Sequence, residues 1–332
     1  MPKWGSVFRQ LSICLRFSLV ALLAQAGAPV GAQSWPEHIV KVIVPYPAGG
    51  GGDATARITS QKLGELLGQT FVVENRQGAS GMVGANAVAK ADPDGYTLLV
   101  CSPAEISLAP HLFTNMTYDP MTDLRPISMI GWTPLVIIAH PSFPALTPEK
   151  FIAHIKANST DYSHPGVGSS HYLTAEYIKK LVGAQLVPIP YRGAAPALND
   201  AVSGQVKLTI SGLPPAVPLL QAGTLKGIAV TSKKRSPLFP DLPALAETKA
   251  LEDVDTTNWF GVLAPKSTPQ PIVDKLNRSI VQALKDERVV SLLKAQALEI
   301  VGNSPAEFAA FIRAEHAKYG KIVELTGAKA AN

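Results

Sequence analysis

Short β-rich runs alternate with helical patterns along most of this chain, and the junctions between them are rich in glycine. A strand is predicted at residues 39–44, followed by the glycine run of residues 47–52 and a helix from about residue 53 to residue 67. Further strands are expected at residues 71–73 and 96–101. This rhythm is typical of βαβ units, so the sequence predicts an α/β fold with a largely parallel sheet.

The same alternation resumes near residue 135 and continues almost to the end of the chain. Thr147 and Pro148 suit the N-cap and first position of a helix, and Ser304 to Glu307 form a capping box that opens the second of two closing amphipathic helices. Strands are expected at residues 135–138, 186–189, 206–210, 227–230 and 259–264.

A flexible linker between two halves is missing from the pattern, since no long serine- and glycine-rich tract occurs. We therefore predict crossover strands near residues 133–139 and 257–263, which form a two-strand hinge around a central cleft. The predicted parts are a signal peptide at 1–32, a first domain at 33–135 that is completed by 259–332, and a second domain at 136–258.

The N-terminus has the three parts of a secretory signal peptide. The basic residues Lys3, Arg9 and Arg16 come first, and an apolar run follows at residues 17–24. Small residues then stand at the −3 and −1 positions of a predicted cleavage site between Ala32 and Gln33. An uncleaved membrane anchor is the alternative. Cleavage leaves 27 basic against 25 acidic residues, so the charge does not point to nucleic acid. It also leaves Cys101 as the one cysteine, which excludes an internal disulfide.

Three glycine-containing loops, at residues 45–53, 78–84 and 163–170, each lead from a strand to a helix. Helix N-termini carry unpaired N–H groups and partial positive charge, and glycine lets a ligand approach them closely. Such loops can bind an anion, and α/β sheets bind ligands where several of them meet. The alternative is that each loop merely connects its strand to its helix.

Other chemistries fit the sequence poorly. Gly52 is followed by Asp53-Ala54-Thr55 instead of the lysine and hydroxyl residue of a P-loop. The adjacent Ser169, Ser170 and His171 do not form a triad, and the serines fit better as hydroxyl donors to a ligand. The seven histidines lack metal-site spacing. The basic run 233–235 suits either a solvated loop or a docking point for a membrane partner.

Several segments together resemble the Bug/TctC family of extracytoplasmic solute receptors, which serve tripartite tricarboxylate transporters. The segments, in chain order, are Ile43 to Gly50 with Asp53 and Arg57, Val72 to Arg76 with Gly78, Asp92 to Leu99, Pro190 to Leu198, Gly204 to Val206, Ala229 to Ser232 with Arg235 to Pro237, Trp259 to Gly261, and Pro305 to Phe308. Each motif is weak alone, but their joint order over the whole mature chain is specific.

The resemblance implies a type II periplasmic-binding-protein fold and a monomer without cofactor, metal or catalytic residue. Its ligand would be a small carboxylate, namely a di- or tricarboxylate, an acidic amino acid or an aromatic acid, and its partners would be membrane permease subunits. Carried over by position, the ligand-binding residues are Tyr46, Ala48, Gly49, Gly50, Gly51, Asp53, Cys101, Ser102, Glu105, Gly168, Ser169, Ser170, His171, Tyr191, Gly193, Ala194 and Ser211.

Two segments depart from the family pattern at positions expected to face the far end of the ligand. Cys101, Ser102, Pro103 and Glu105 stand where family members often have small or hydroxyl residues, and Ser211-Gly212 stand where many have an acidic residue and asparagine. The leading hypothesis is a transport receptor. A periplasmic sensor that presents its closed form to a membrane signalling protein is the second hypothesis, and an exported enzyme is the third.

Overall fold

The computed structural model describes residues 35–329, so the predicted signal peptide lies outside the described residues. The part of the chain from Pro36 onward forms one unit. Its first half contains the strands β1 (Val40–Val44), β2 (Phe71–Asn75), β3 (Thr97–Cys101) and β4 (Leu124–Ala139), and the helices α1 (Gly51–Leu67), α2 (Met82–Ala89) and α3 (Ala109–Leu112). A π-helical turn at Ala104–Leu108 leads into α3.

The second half begins with a further alternation of helices and strands. Its helices are α4 (Pro148–Ala157), α5 (Ser170–Val182), α6 (Ala194–Val202), α7 (Leu213–Gln221), α8 (Gln270–Ala283), α9 (Glu287–Ala295) and α10 (Pro305–Thr326). Its strands are β5 (Thr160–His164), β6 (Leu186–Pro190), β7 (Leu208–Gly212), β8 (Lys226–Val230), β9 (Thr257–Pro265) and β10 (Glu299–Ile300).

These strands form one sheet in the order β2-β1-β3-β9-β4-β7-β5-β6, and β8 and β10 also pair with β4. The predicted parallel pairing holds within two groups, β2-β1-β3 and β6-β5-β7. All pairs made by β9 and β4 are antiparallel. The expectation of a largely parallel sheet was therefore wrong for the centre of the sheet. The α/β fold class itself is confirmed.

Strand β4 changes its partners between Pro134 and Leu135. Residues from Leu124 to Pro134 pair with β9, whereas residues from Leu135 to Ala139 pair with β7. This change lies inside the segment where the sequence predicts a crossing between two domains. The division into two domains at the predicted boundaries remains a prediction.

Helix capping follows the sequence at both predicted places. The hydroxyl of Thr147 accepts a hydrogen bond from the backbone N–H of Lys150 at 3.4 Å, and Pro148 opens α4. At Ser304 the capping box forms as expected, with Glu307 accepting from the Ser304 N–H at 2.9 Å. The count of closing helices was wrong, because α8, α9 and α10 all follow β9, and Asp286 caps the additional helix.

Separate hydrophobic clusters cover different parts of the sheet. Around β3 and β9, Trp259 and Phe308 are fully buried beside Cys101 and Leu263. In a second cluster, β4 residues such as Leu135 and Ile137 pack with residues of α4 and α5. None of the helices among residues 35–329 combines the length and the apolar character needed to cross a bilayer.

We predict that Gly261→Ala destabilises the packing between β9 and α10. A Cβ on Gly261 would overlap the ring of Phe308, which is fully buried and cannot move into free space. Overpacking of this kind costs about 2 kcal/mol, so the thermal unfolding midpoint should fall by several degrees. The double variant Gly261→Ala/Phe308→Leu should recover part of the loss, and Gly50→Ala, whose Cβ would meet nothing closer than 3.7 Å, should leave the midpoint unchanged. Equal midpoints for Gly261→Ala and the original protein would contradict this packing.

Candidate functional site

The loop between β1 and α1 is held in place by the side chain of Asp53. Its carboxylate accepts hydrogen bonds from the Gly49 N–H at 3.0 Å, from Arg57 Nε at 3.0 Å and from Asn75 Nδ2 at 3.0 Å. Burial acts to raise the pKa of Asp53, but the hydrogen bonds from Arg57, Gly49 and Asn75 lower it overall. Asp53 therefore remains ionised and fixes the loop from within.

Helix α1 starts at this loop without a side-chain cap on its first N–H groups. Gly50 is the N-cap in an extended conformation and supplies no side-chain cap. A Cβ on Gly51 would lie 3.4 Å from Pro214 Cγ, so the start of α1 lies against the start of α7. The absence of a side chain on Gly51 permits this close packing against Pro214, and the predicted approach of a ligand to the same loop remains a prediction.

The N-termini of α5 and α6 come to the same place from the second half. Ser169 caps α5 by accepting a hydrogen bond from the Tyr172 N–H at 3.2 Å. Gly193 caps α6 without a side chain, and a Cβ on it would lie 3.4 Å from Pro47 Cγ in the β1–α1 loop. Loops after β1 and β6 therefore face each other directly.

A second contact joins the two halves through Ser80. Its hydroxyl donates a hydrogen bond of 2.6 Å to the carbonyl oxygen of Val167, which is 87 residues away in the chain. Ala79 and Ser80 both have positive φ, at 45° and 54°, a conformation that side-chain-bearing residues rarely adopt. Local strain is therefore maintained where the loop at residues 78–84 meets the loop before α5.

Tyr46, Ser102 and Glu105 form a hydrogen-bonded cluster at the carboxyl ends of β1 and β3. The Tyr46 hydroxyl donates to Glu105 Oε2 at 2.6 Å and lies 2.9 Å from Ser102 Oγ. The Ser102 N–H donates to Glu105 Oε1 at 2.6 Å. Burial raises the pKa of Glu105 to about 7, despite the hydrogen bonds from Tyr46 and Ser102 that lower it.

Two histidines, one at the end of β5 and one in the first turn of α5, are held in the neutral form. Burial lowers the pKa of His171 to about 3 and that of His164 to about 4. His171 Nδ1 makes no hydrogen bond within the described part of the chain. Its Nε2 lies 3.9 Å from where a Cβ on Gly212 would be, which brings α5 next to the N-cap of α7. A neutral imidazole at this position can donate or accept a hydrogen bond without adding charge.

The structure thus brings together most of the residues that the sequence assigned to ligand loops. These are Tyr46, Ala48, Gly49, Gly50, Gly51, Ser102, Glu105, Gly168, Ser169, Ser170, His171, Gly193 and Ala194. Of these, Ala48 and Gly49 are exposed, whereas Ser102, Glu105, Gly168, Ser170 and His171 are buried.

Four other predicted residues direct their side chains elsewhere. The Cys101 thiol donates to the Gly261 carbonyl at 3.2 Å inside the core, and the Asp53 carboxylate is occupied within its own loop. Tyr191 donates its hydroxyl to Asp200 Oδ2 at 2.5 Å, and Ser211 donates to the Gly212 carbonyl at 3.1 Å. These four side chains therefore support the loops in this structure.

Sequence reasoning missed two contributors. Ser80 and Pro214 make contacts between the halves, although neither was assigned to the site. Ser80 stands between the glycines of residues 78–84, and that spacing marked the loop as tight. The sequence also indicated the hydrogen bond between Ser102 and Glu105. These residues lie in the tetrapeptide Ser-Pro-Ala-Glu, which occurs again in the capping box at Ser304 to Glu307.

Two cavities of about 450 Å³ each open at other surfaces, one lined by residues of 146–149 and 227–248 and one by residues of 60–71. Neither is lined by a residue predicted to contact ligand. Among residues 35–329, no three histidine, cysteine, aspartate or glutamate side chains are grouped in a way that could hold a metal ion.

Comparison with solved structures places this fold among periplasmic binding proteins. BugD, solved as a periplasmic binding protein, is 33% identical with a TM-score of 0.83 over 89% of this chain and 99% of its own. A Rhodopseudomonas palustris protein solved with adipate is 34% identical, with a TM-score of 0.84 over 88% of this chain and 98% of its own. MatC from the same organism, solved with bound malate, is 30% identical, with a TM-score of 0.82 over 87% and 100%.

The family comparison agrees with these neighbours. Residues 55–328 match the family described as the tripartite tricarboxylate transporter family receptor, also called TctC. The family and the fold are those of periplasmic solute-binding receptors, as the sequence motifs indicated. This chain therefore belongs to the Bug/TctC family of tripartite tricarboxylate transporter receptors.

Proposed function

We propose that this protein captures a small carboxylate in the periplasm and delivers it to the permease subunits of a tripartite tricarboxylate transporter. The observation that carries the proposal is the meeting of the helix N-termini of α1, α5, α6 and α7 at one place. Export by cleavage between Ala32 and Gln33, and function as a monomer, are parts of the same proposal.

Backbone donors at this place can bind a carboxylate without a cationic side chain. Helix α1 begins with Gly51 and Gly52, and α6 begins with Ala194 and Ala195, so each presents first-turn N–H groups that lack a carbonyl partner in a preceding turn. The helix dipoles add partial positive charge at the same ends. A carboxylate placed between them would accept several hydrogen bonds at once.

The solved relatives support the same class of ligand. One is bound to adipate and the other to malate, and both are small dicarboxylates. Helix α7 contributes its dipole more than its N–H groups, because Pro214 and Pro215 lack that hydrogen. The neutral imidazole of His171 adds one hydrogen-bonding side chain to the site. Because it is uncharged, it neither repels a dicarboxylate nor attracts other anions.

Thermal unfolding in the presence of carboxylates tests the proposal. Mature protein is unfolded and refolded to remove any bound ligand, and is then heated with aliphatic, amino and aromatic carboxylates in turn. A ligand at 100 times its Kd adds about 2.7 kcal/mol to the free energy of unfolding, which should raise the midpoint by several degrees. A refolded protein whose midpoint responds to no member of the panel would contradict the proposal.

Gly50→Val is predicted to weaken carboxylate binding without harming the fold. The added Cβ would meet nothing closer than 3.7 Å, so the thermal midpoint of the free protein should stay the same. The valine side chain would instead obstruct the approach of a ligand to the N–H groups of α1. Isothermal titration calorimetry should show a loss of about tenfold or more, and unchanged affinity in a folded variant would remove this loop from the site.

Ser80→Ala is predicted to speed ligand release. The variant removes the hydrogen bond from Ser80 to Val167 that joins the two halves, which is worth about 1 kcal/mol. Dissociation measured by stopped flow should therefore quicken about fivefold, with little change in the association rate. Ser203→Ala is the matched control, because the hydroxyl of that exposed serine donates to the Asp200 carbonyl within the same helix end and not to the other half. Equal dissociation rates for the two variants would show that the hydrogen bond from Ser80 to Val167 does not slow ligand release.

A further inference from the structure

The cluster of Tyr46, Ser102 and Glu105 contains more hydrogen-bond acceptors than donors. Glu105 Oε2 accepts from the Tyr46 hydroxyl at 2.6 Å and from Ser102 Oγ at 3.0 Å. Glu105 Oε1 accepts from the Ser102 N–H at 2.6 Å. With Glu105 ionised, both hydroxyl hydrogens point toward its carboxylate, so the hydroxyl oxygens have only lone pairs left to offer.

Tyr46 is the most exposed member of the cluster. Glu105 is fully buried and Ser102 is 4% exposed, whereas Tyr46 remains partly exposed at the carboxyl end of β1. One side of the cluster is closed by Gly81, since a Cβ there would lie 3.0 Å from both Tyr46 Oη and Glu105 Oε2. No lysine or arginine within residues 35–329 forms an ion pair with Glu105, so its charge is stabilised by hydrogen bonds alone.

Helix capping alone does not explain this arrangement. The same tetrapeptide at Ser304 to Glu307 closes its capping box on the exposed surface, where Glu307 accepts from the Ser304 N–H at 2.9 Å and from Ser304 Oγ at 2.7 Å. Tyr46 is therefore an additional partner that the buried copy acquires. It links the turn after β3 to the ligand loop after β1, so Ser102 and Glu105 lie beside that loop, although the sequence pattern had placed them toward the far end of the ligand.

We propose, building on the function proposed above, that this cluster makes the receptor selective for carboxylates that carry a hydrogen-bond donor, a hydroxyl or ammonium group, beside the bound end. Tyr46 accepts a hydrogen bond from that donor, and the buried Glu105 carboxylate behind it strengthens the acceptor. A second ionised carboxylate, which can only accept, is disfavoured at the same position. An unsubstituted chain leaves the Tyr46 oxygen without a partner once water has been displaced.

The test uses ligands of equal length that differ in a single substituent. Succinate, malate and aspartate carry hydrogen, hydroxyl and ammonium on the same carbon, and adipate and 2-aminoadipate form a longer pair. Affinities are measured by calorimetry at pH 8.5, where Glu105 is ionised because its pKa is about 7. The proposal expects a substituted acid to bind about tenfold more tightly than its unsubstituted partner of the same length.

Two variants at the cluster and one matched control separate the mechanism from general damage. Tyr46→Phe removes the acceptor, so the preference should fall to about twofold or less. In Glu105→Gln the new amide can donate to Tyr46 and free the phenol hydrogen, which makes Tyr46 a donor. Aspartate, whose ammonium group cannot accept, should then lose its preference over succinate, whereas malate, whose hydroxyl can accept, should keep it. Glu307→Gln alters the exposed copy of the same tetrapeptide and should keep the original preference.

The outcomes of these titrations are distinct. Unsubstituted acids that bind the original protein as tightly as their substituted partners would overturn the selectivity while leaving the carboxylate function intact. A preference that survives Tyr46→Phe would also overturn it, because the cluster would then not be its source. Failure of every carboxylate to bind would contradict the proposed function, and the selectivity with it.

Discussion

Strand β4 provides the backbone pairing on which the rest of the structure depends. It pairs with β9 up to Pro134 and with β7 from Leu135 onward, and β8 pairs with its second half as well. Residues 135–139 are completely buried, so this exchange of partners occurs inside the protein. Because each flanking group of strands is parallel, the carboxyl ends of β1 and β3 come together, as do those of β5, β6 and β7.

The site that results is organised by helix ends and neutral groups. Glycines at positions 51 and 193 allow loops from the two halves to approach Pro214 and Pro47 within van der Waals distance. The acidic side chains nearby are turned inward, since Asp53 is bound by Arg57 and Asn75. Burial keeps His171 uncharged. In the proposed function, an anion would be bound by oriented N–H groups, and the shape of the pocket and its few side-chain partners would select among carboxylates.

The sequence predicted those features that depend on neighbouring residues. The caps at Thr147 and Ser304, the glycine loops and most strands follow from local patterns. Strand β4 was recognised only over its second half, because Pro126 and Pro134 lie within it and proline normally argues against a strand interior. Helix α7 was missed for the same reason, since Pro214, Pro215 and Pro218 are part of it.

Features that depend on distant residues could not be predicted in the same way. Cys101 was assigned to the ligand loop, but its thiol points to Gly261, 160 residues away, and a one-residue difference along a strand reverses the direction of a side chain. The bond between Tyr46 and Glu105 spans 59 residues, and that between Ser80 and Val167 spans 87. Both contacts arise from the packing of the sheet, so no local pattern could indicate them.

The central claim is that backbone N–H groups at the converging helix ends bind an ionised carboxylate. Calorimetric titration of the refolded mature protein with a carboxylate that binds, and with the corresponding methyl ester, tests it most directly. The ester keeps the carbonyl oxygen and adds one methyl group, but it loses the negative charge, so its affinity should be lower by about 100-fold or more. An ester that binds as tightly as the acid would show that these N–H groups do not recognise an ionised carboxylate.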